Sequence, residues 1–264
     1  MNSLLRLYDS PSWLFGTAVV GTFVLFALIG QIAVRRFLPR WFEGKEYNDL
    51  VGQFLSASGV FFGITLGLLS VGAWENFTAV DGAVAQEATD IGVCYRTFDN
   101  YPEPHRAVLT DQLRAYTRHE IDVAWPKQRL GITPGTGGNE QLDQLQRALA
   151  HFEPRTEAEK ALHSEGLRLF SKMLESRRTR LSSVSTQLPG IVWAVVFAGS
   201  VLNLSLMWLF VVEHKGLHNL LTAILAALLG LLVFLLAAMD LPFRGDYSVG
   251  PDAFELVYNQ LMTK

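Results

Sequence analysis

Residues Leu50–Ala73 read LVGQFLSASGVFFGITLGLLSVGA, an apolar run with no charged side chain. A helix rises 1.5 Å per residue, so about 20 such residues cross a hydrocarbon core roughly 30 Å thick. Three further stretches share the pattern: Leu14–Val34, Gly190–Val212 and Leu220–Met239. Half of the 264 residues are hydrophobic and 18% are charged, against about 25% charged in an ordinary soluble domain. The apolar excess is concentrated in these blocks. They predict an all-α integral membrane protein with four transmembrane helices in two hairpins. The first block is longer than the apolar region of a signal peptide and lacks a small-residue cleavage site, so it reads as a retained anchor.

The blocks come in two pairs. A basic loop, RRFLPRWFEGKE, joins the first pair, and EHKGLH joins the second. Between the pairs lies a polar insert, residues 74–188. With four spans, the insert and both termini fall on one side of the membrane. Leu142, Leu145, Leu149 and Phe152 recur at helical spacing, as do Leu162, Leu169, Phe170, Met173, Leu174, Leu181 and Val184. Four insert helices follow, over about 76–99, 103–124, 139–152 and 155–186, broken at Pro102, Pro104 and the WPKQRLGITPGTGGN and FEPRT stretches. The first and last of these are expected to run straight out of the second and third spans, with Pro189 in a first turn or at a kink. The spans are set at 14–34, 50–73, 190–212 and 220–241. Residues 242–264 are read as a segment at the membrane interface ending in a short helix, with Pro251 at its first position. Arg35, Arg36, Arg40 and Lys45 flank the spans on one side. Arg6, Arg168, Lys172, Arg177, Arg178, Arg180 and Arg244 flank them on the other, and the ESRRTR cluster tips the balance toward a cytoplasmic insert.

A net charge of −3 creates no basic field for nucleic acid. The single cysteine, Cys94, excludes an internal disulfide. No nucleophile elbow, phosphate loop, zinc set or dinucleotide fingerprint is present, so the chain reads as a non-enzyme without cofactor. His214 and His218 have the spacing of metal ligands on a helix, but Gly216 and the loop context argue against a metal site.

Several positions within the spans invite a functional reading. Gly59, Gly63 and Gly67, flanked by Ser56 and Ser70, form overlapping small-residue motifs suited to close helix packing. At 100° per residue, Phe54, Ser58, Phe61, Thr65 and Leu68 lie on the opposite face, where rings alternating with hydroxyls suit either a hydrophobic constriction or lipid. Asn203, near Ser200 and Ser205, is either an interhelical hydrogen bond or a pore-lining amide. In MDLPFRG, Pro242 ends the fourth helix and Gly245 turns the chain. Asp240 then lies at the negative end of its own helix, which predicts pairing with a cation, Arg244 or the Arg177, Arg178 and Arg180 cluster. Asp240, Pro242, Phe243, Arg244 and Gly245 are thus either a stop signal or a gate at the membrane exit. Trp125-Pro126 reads as core.

In chain order, the glycine-rich second span, VAQEATDIG, PEPHR…LRAY, RRTRL, LPGIVW and MDLPFRGDYSV resemble the bacterial bestrophin-like domain-of-unknown-function family over nearly the whole chain. Leu241 stands where arginine is frequent. The resemblance implies a relation to bestrophins, pentameric anion channels whose second span lines a hydrophobic neck. Phe54, Phe61 and Phe62 are the matching residue types. No acidic cluster matches the bestrophin calcium clasp. The implied partners are membrane lipid, further copies of the chain, and a small inorganic ion, in the bacterial inner membrane. The favoured expectation is an oligomeric ion channel selective for anions. The competing expectations are a membrane-anchored scaffold or sensor whose insert binds a partner, and a transporter with a midplane site.

Overall fold

The computed structural model describes residues 10–37, 47–132, 138–184 and 187–263, and among these the regular structure is helical throughout. Helix α1 is Ser12–Phe37, α2 Tyr47–Phe98, α3 His105–His119, α4 Trp125–Arg129, α5 Asn139–Ala150, α6 Glu157–Ser183, α7 Gly190–Trp208, α8 Lys215–Asp240 and α9 Asp252–Val257. A widened turn at Glu120–Ala124 carries α3 into α4, and another at Tyr258–Met262 follows α9. Four helices, α1, α2, α7 and α8, are long and apolar enough to cross a membrane.

The second span and the first insert helix are one helix of 52 residues, about 78 Å long. No proline or tight turn interrupts the sequence between Ala73 and Phe77. The other expected continuity does not occur. Helix α6 stops at Ser183, and Pro189, with ψ 141°, is the extended residue that precedes α7. A residue before proline is pushed away from helical geometry, so Leu188-Pro189 separates the two helices.

The chain divides into two compact units. The membrane unit comprises the chain up to Asn76, Gln187–Leu241 and Gly245–Tyr247. Within it α1 and α8 run antiparallel: Phe15 meets Phe234 edge-on at 5.5 Å, and Arg35 reaches His218. Gly230 lets the backbones close, since a Cβ there would lie 3.0 Å from Val20 Cα. Trp208 of α7 lies over Gly30, and its indole N–H donates to Ala27 O at 2.9 Å. Helix α2 runs antiparallel to α7. Asn48 donates to Val211 O and accepts from Val211 N, and Phe62 fills the gap at Gly199. Ala27, Phe62, Leu66, Val196, Ala226, Val233 and Leu236 form the core.

The helical unit comprises Phe77–Thr186, Pro242–Arg244 and Ser248–Lys264. Helix α6 begins with a capping box, Thr156 accepting from Glu159 N while the Glu159 carboxylate accepts from Thr156 N, which satisfies two donors at the helix start. The expected apolar stripe of α5 is buried at Leu142, Leu145 and Leu149. Ile91, Phe98, Leu113, Trp125 and Met173 join it. Phe243, Val249, Phe254 and Met262 belong to this same core, so the C-terminal segment expected at the membrane interface is a packing element of the helical unit. The Val249 N–H bond to Pro242 O, 2.7 Å, closes the loop that brings it there.

Candidate functional site

The surface of α2 has three faces. Phe62, Leu66 and Ala73 point into the membrane unit. At 100° per residue the glycines lie on one flank of that stripe and the phenylalanine face lies on the other. Phe54, Phe61 and Leu68 are 61, 74 and 69% exposed, and Thr65 is exposed with its hydroxyl donating to Phe61 O. Ser58 departs from that group: its hydroxyl donates to Asn203 Oδ1 at 3.1 Å. The Asn203 amide in turn donates to Gly199 O, and the residue is buried. Ser58 and Asn203 therefore join α2 to α7 inside the chain. Gly63 and Gly67 have nothing within 4 Å of a Cβ position, and Gly59 has only Asn203 Oδ1 at 4.0 Å. Ser56 is exposed, and the half-buried Ser70 donates back to Leu66 O. Within one chain, no described helix covers the glycine seam. The glycine that receives a side chain of α2 is Gly199 of α7, against Phe62, which the reading of the second span alone passes over.

Trp13, Trp74 and Tyr247 are exposed and carry amphipathic rings, the residue types that settle at headgroup level. Trp13 and Arg35 are about 33 Å apart along α1 at 1.5 Å per residue, the thickness of a hydrocarbon core.

Asp240 is bonded differently from expectation. Its Oδ1 accepts from Leu188 N at 2.6 Å and its Oδ2 from the Trp193 indole N–H at 3.0 Å. Both donors are neutral and both belong to the start of α7. A carboxylate disfavoured by the end of its own helix is thereby placed at the positive end of the next. Pro242 follows α8, and Gly245 turns with φ 88°. Asp246 accepts from the Ser12 backbone and hydroxyl and so tethers the start of α1. Phe243 packs edge-on against Trp125 at 5.8 Å, within the helical unit. Arg244 lies in that unit and is half-buried. Both ring nitrogens of His218 are occupied: Nδ1 faces the Arg35 guanidinium at 2.8 Å and Nε2 faces Met207 O at 3.0 Å. His214 precedes α8 as its capping residue. Among the described residues no group of His, Cys, Asp or Glu could hold a metal.

The helical unit contains a buried charge cluster that spacing alone does not reveal. The Arg180 guanidinium donates to Glu87 at 2.6 Å and to Glu120 at 2.6 Å, and all three side chains are inaccessible to solvent or nearly so. The Tyr116 hydroxyl donates to Glu87 at 2.8 Å. The rings of Trp125 and Phe254 each lie 5.4 Å from the guanidinium carbon. Burial holds the Glu120 carboxyl above the usual carboxylate range, against the pull of Arg180, and burial pushes the Tyr116 hydroxyl well above its usual range. Nearby, Asp90 accepts from Lys172, Ser176 and Gln86. Burial, with Asp90 beside it, raises the Cys94 thiol to about 12, so it is protonated and unreactive at neutral pH. Arg180, counted among the flanking cations by its place in the sequence, is enclosed in this cluster away from solvent.

The quoted motifs converge on these places. Glu87 of VAQEATDIG, Tyr116 of LRAY, Trp125, Arg180 of RRTRL and Phe254 build the charge cluster, while LPGIVW supplies the donors to Asp240. No curated protein matches the chain. A family model of the bestrophin-like domain matches residues 21–254. That match covers most of the sequence and all four apolar helices in whole or large part, and the chain belongs to the bestrophin-like domain family.

Proposed function

We propose that the protein is an oligomeric membrane ion channel, selective for small anions, in which copies of α2 surround the path. The observation that carries this reading is the surface of α2. One stripe is packed against α7, while Phe54, Phe61, Thr65 and Leu68 on one flank and Gly59, Gly63 and Gly67 on the other remain uncovered. A ring of copies brings the small-residue flank against a neighbour and leaves the aromatic flank to form a dewetting constriction. Four spans with so few polar positions do not enclose an aqueous path alone, so conduction requires the ring. Anion selectivity rests on membership of the bestrophin-like family. The proposed role is not enzymatic.

The test is flux from chloride-loaded vesicles, with oligomer mass measured on the same preparation by native mass spectrometry in nanodiscs. The expected result is a ring that conducts, and a higher unitary current in Phe61→Ala. A monomer, or a ring whose current is the same in Phe61→Ala and wild type, overturns the assignment of α2. A second reading, a scaffold whose helical unit binds a partner, is supported by a groove of about 860 Å³ along α6, between Ser171 and Ser182. An intact ring without flux favours it.

A further inference from the structure

We propose that the membrane unit holds a small monovalent anion, of halide size, in the seam between α1 and α8, bound by Arg35 and the side-chain amide of Gln31. The two helices are antiparallel, and Arg35 is level with His218. One turn along each helix brings Gln31 level with Thr222. Gln31, His218 and Thr222 are all buried.

His218 does not neutralise Arg35. A guanidinium only donates, so Nδ1 of His218 accepts, and Nε2 carries the proton and donates to Met207 O. The imidazole is neutral and both its nitrogens are occupied. Among the described residues, no carboxylate pairs with Arg35. Gln31 is 0% exposed, yet neither its amide nitrogen nor its oxygen has a partner. A primary amide enclosed in this way within a span carries a large desolvation penalty unless something polar meets it.

The N-terminus of α8 opens at the same end of the seam. His218 N bonds His214 O, while the N–H groups of the turn before it have no place in the helix ladder. Gly216 in that turn has open space where a side chain would be. The Arg35 guanidinium is level with His218, between the start of α8 on one side and the Gln31 amide one turn deeper on the other, and all three offer N–H groups. The ligand must therefore accept hydrogen bonds. A single guanidinium sets its charge at one. The close apolar packing of the seam, with Ala27 and Ala226 fully buried, sets its size. This site is away from the aromatic face of α2 and does not depend on conduction.

The experiment is thermal unfolding of the full-length protein in nanodiscs, in sodium chloride and in sodium gluconate at equal ionic strength. A ligand that binds only the folded state raises Tm saturably with its concentration. The expected result is a higher Tm in chloride for wild type and for Phe61→Ala. Gln31→Glu places a carboxylate beside Arg35, and its Tm should match in the two salts while the fold is retained. Arg35→Gln should likewise lose the chloride response. An equal Tm for wild type in the two salts overturns the site, and so does an undiminished chloride response in Gln31→Glu. Loss of flux in the vesicle assay with this response intact would remove the channel reading and leave the site standing.

Discussion

The two units solve the same problem, a polar group away from water, by opposite means. In the membrane unit neutral partners dominate: Asp240 takes a backbone N–H and an indole N–H, Ser58 takes Asn203, and Trp208 takes a backbone carbonyl. In the helical unit the partners are full charges, Glu87 and Glu120 sharing Arg180. The apolar surface is also reversed. The membrane unit displays Phe61, Leu68, Ile29 and Ile32 outward, which lipid tolerates. The helical unit gathers Phe98, Trp125, Phe170 and Phe254 inward, as water requires. The lesson concerns the surroundings: among the apolar spans Asp240, Ser58 and Trp208 are met by short dipolar bonds, while the carboxylate–guanidinium cluster lies in the unit whose apolar side chains turn inward.

The largest effect should come from breaking the ion cluster. Arg180→Met leaves Glu87 enclosed without a cation and Glu120 with only the longer Arg177 contact at 3.9 Å, a change that costs about 3–5 kcal/mol. Hydrogen exchange over residues 77–184 should rise steeply while α1 and α8 stay protected. The triple variant Glu87→Gln, Arg180→Met, Glu120→Gln should recover much of the loss. A loss under about 1 kcal/mol for Arg180→Met would mean that water reaches the cluster, and the contrast between the units would fall.

Next in size is a pair of glycine substitutions. Gly30→Leu meets the ring of Trp208 and should cost about 1–3 kcal/mol by overpacking, whatever the oligomeric state. Gly63→Leu has nothing to meet in its own chain, so any effect must come from another copy. Its expected signature is a smaller oligomer by native mass measurement, with α1 and α8 as protected as in wild type. An unchanged ring would place that face against lipid.

How far these features can be read from the sequence follows from what each depends on. The four spans are legible because charge is absent over whole helix lengths, and α2 is legible as one rod because no breaker interrupts it. The buried stripe of α5 is legible from Leu142, Leu145 and Leu149. The break before α7 is half legible: Pro189 is conspicuous, but its role as the extended residue before the helix depends on local ψ. The charge cluster is not legible, since Glu87 and Arg180 are distant in sequence and meet only through tertiary packing. Gln31 sits in an uncharged run that reads as uniform. The partners of Asp240 lie on a different helix, so a guanidinium close in sequence looked the natural choice.

The donors to Asp240 give the third test. Asp240→Asn turns one acceptor into a donor facing an N–H, at about 1–2 kcal/mol. Trp193→Phe removes one donor. Because the two act on one bond, the double variant should cost less than the sum of the singles. Arg244→Gln combined with Asp240→Asn should be additive. Coupling to Arg244 and none to Trp193 would restore the ionic latch and blur the contrast between the units.

The smallest effect is a dependence on pH, and it sharpens the comparison because it should arise in the helical unit. The His163 ring, bonded to the Tyr101 hydroxyl at 3.3 Å and packed near Phe152, is held below its usual range by burial. A histidine lowered in the folded state binds its proton more readily once unfolded, so stability is full above about pH 6.5 and declines as pH falls through the lowered value. Glu120 has the opposite sign. Its raised carboxyl takes up a proton in the folded state first, so stability grows as pH falls from that raised value toward the ordinary carboxylate range. His163 is only partly buried, and solvent screens the effect, so its share should move Tm by less than about 2 °C. Wherever the two trends overlap they oppose each other. His163→Asn should remove the decline and leave the Glu120 rise, and Glu120→Gln should do the reverse, as measured by Tm against pH for the full-length protein. A pH profile that neither substitution alters would put the titrating group elsewhere than His163 and Glu120.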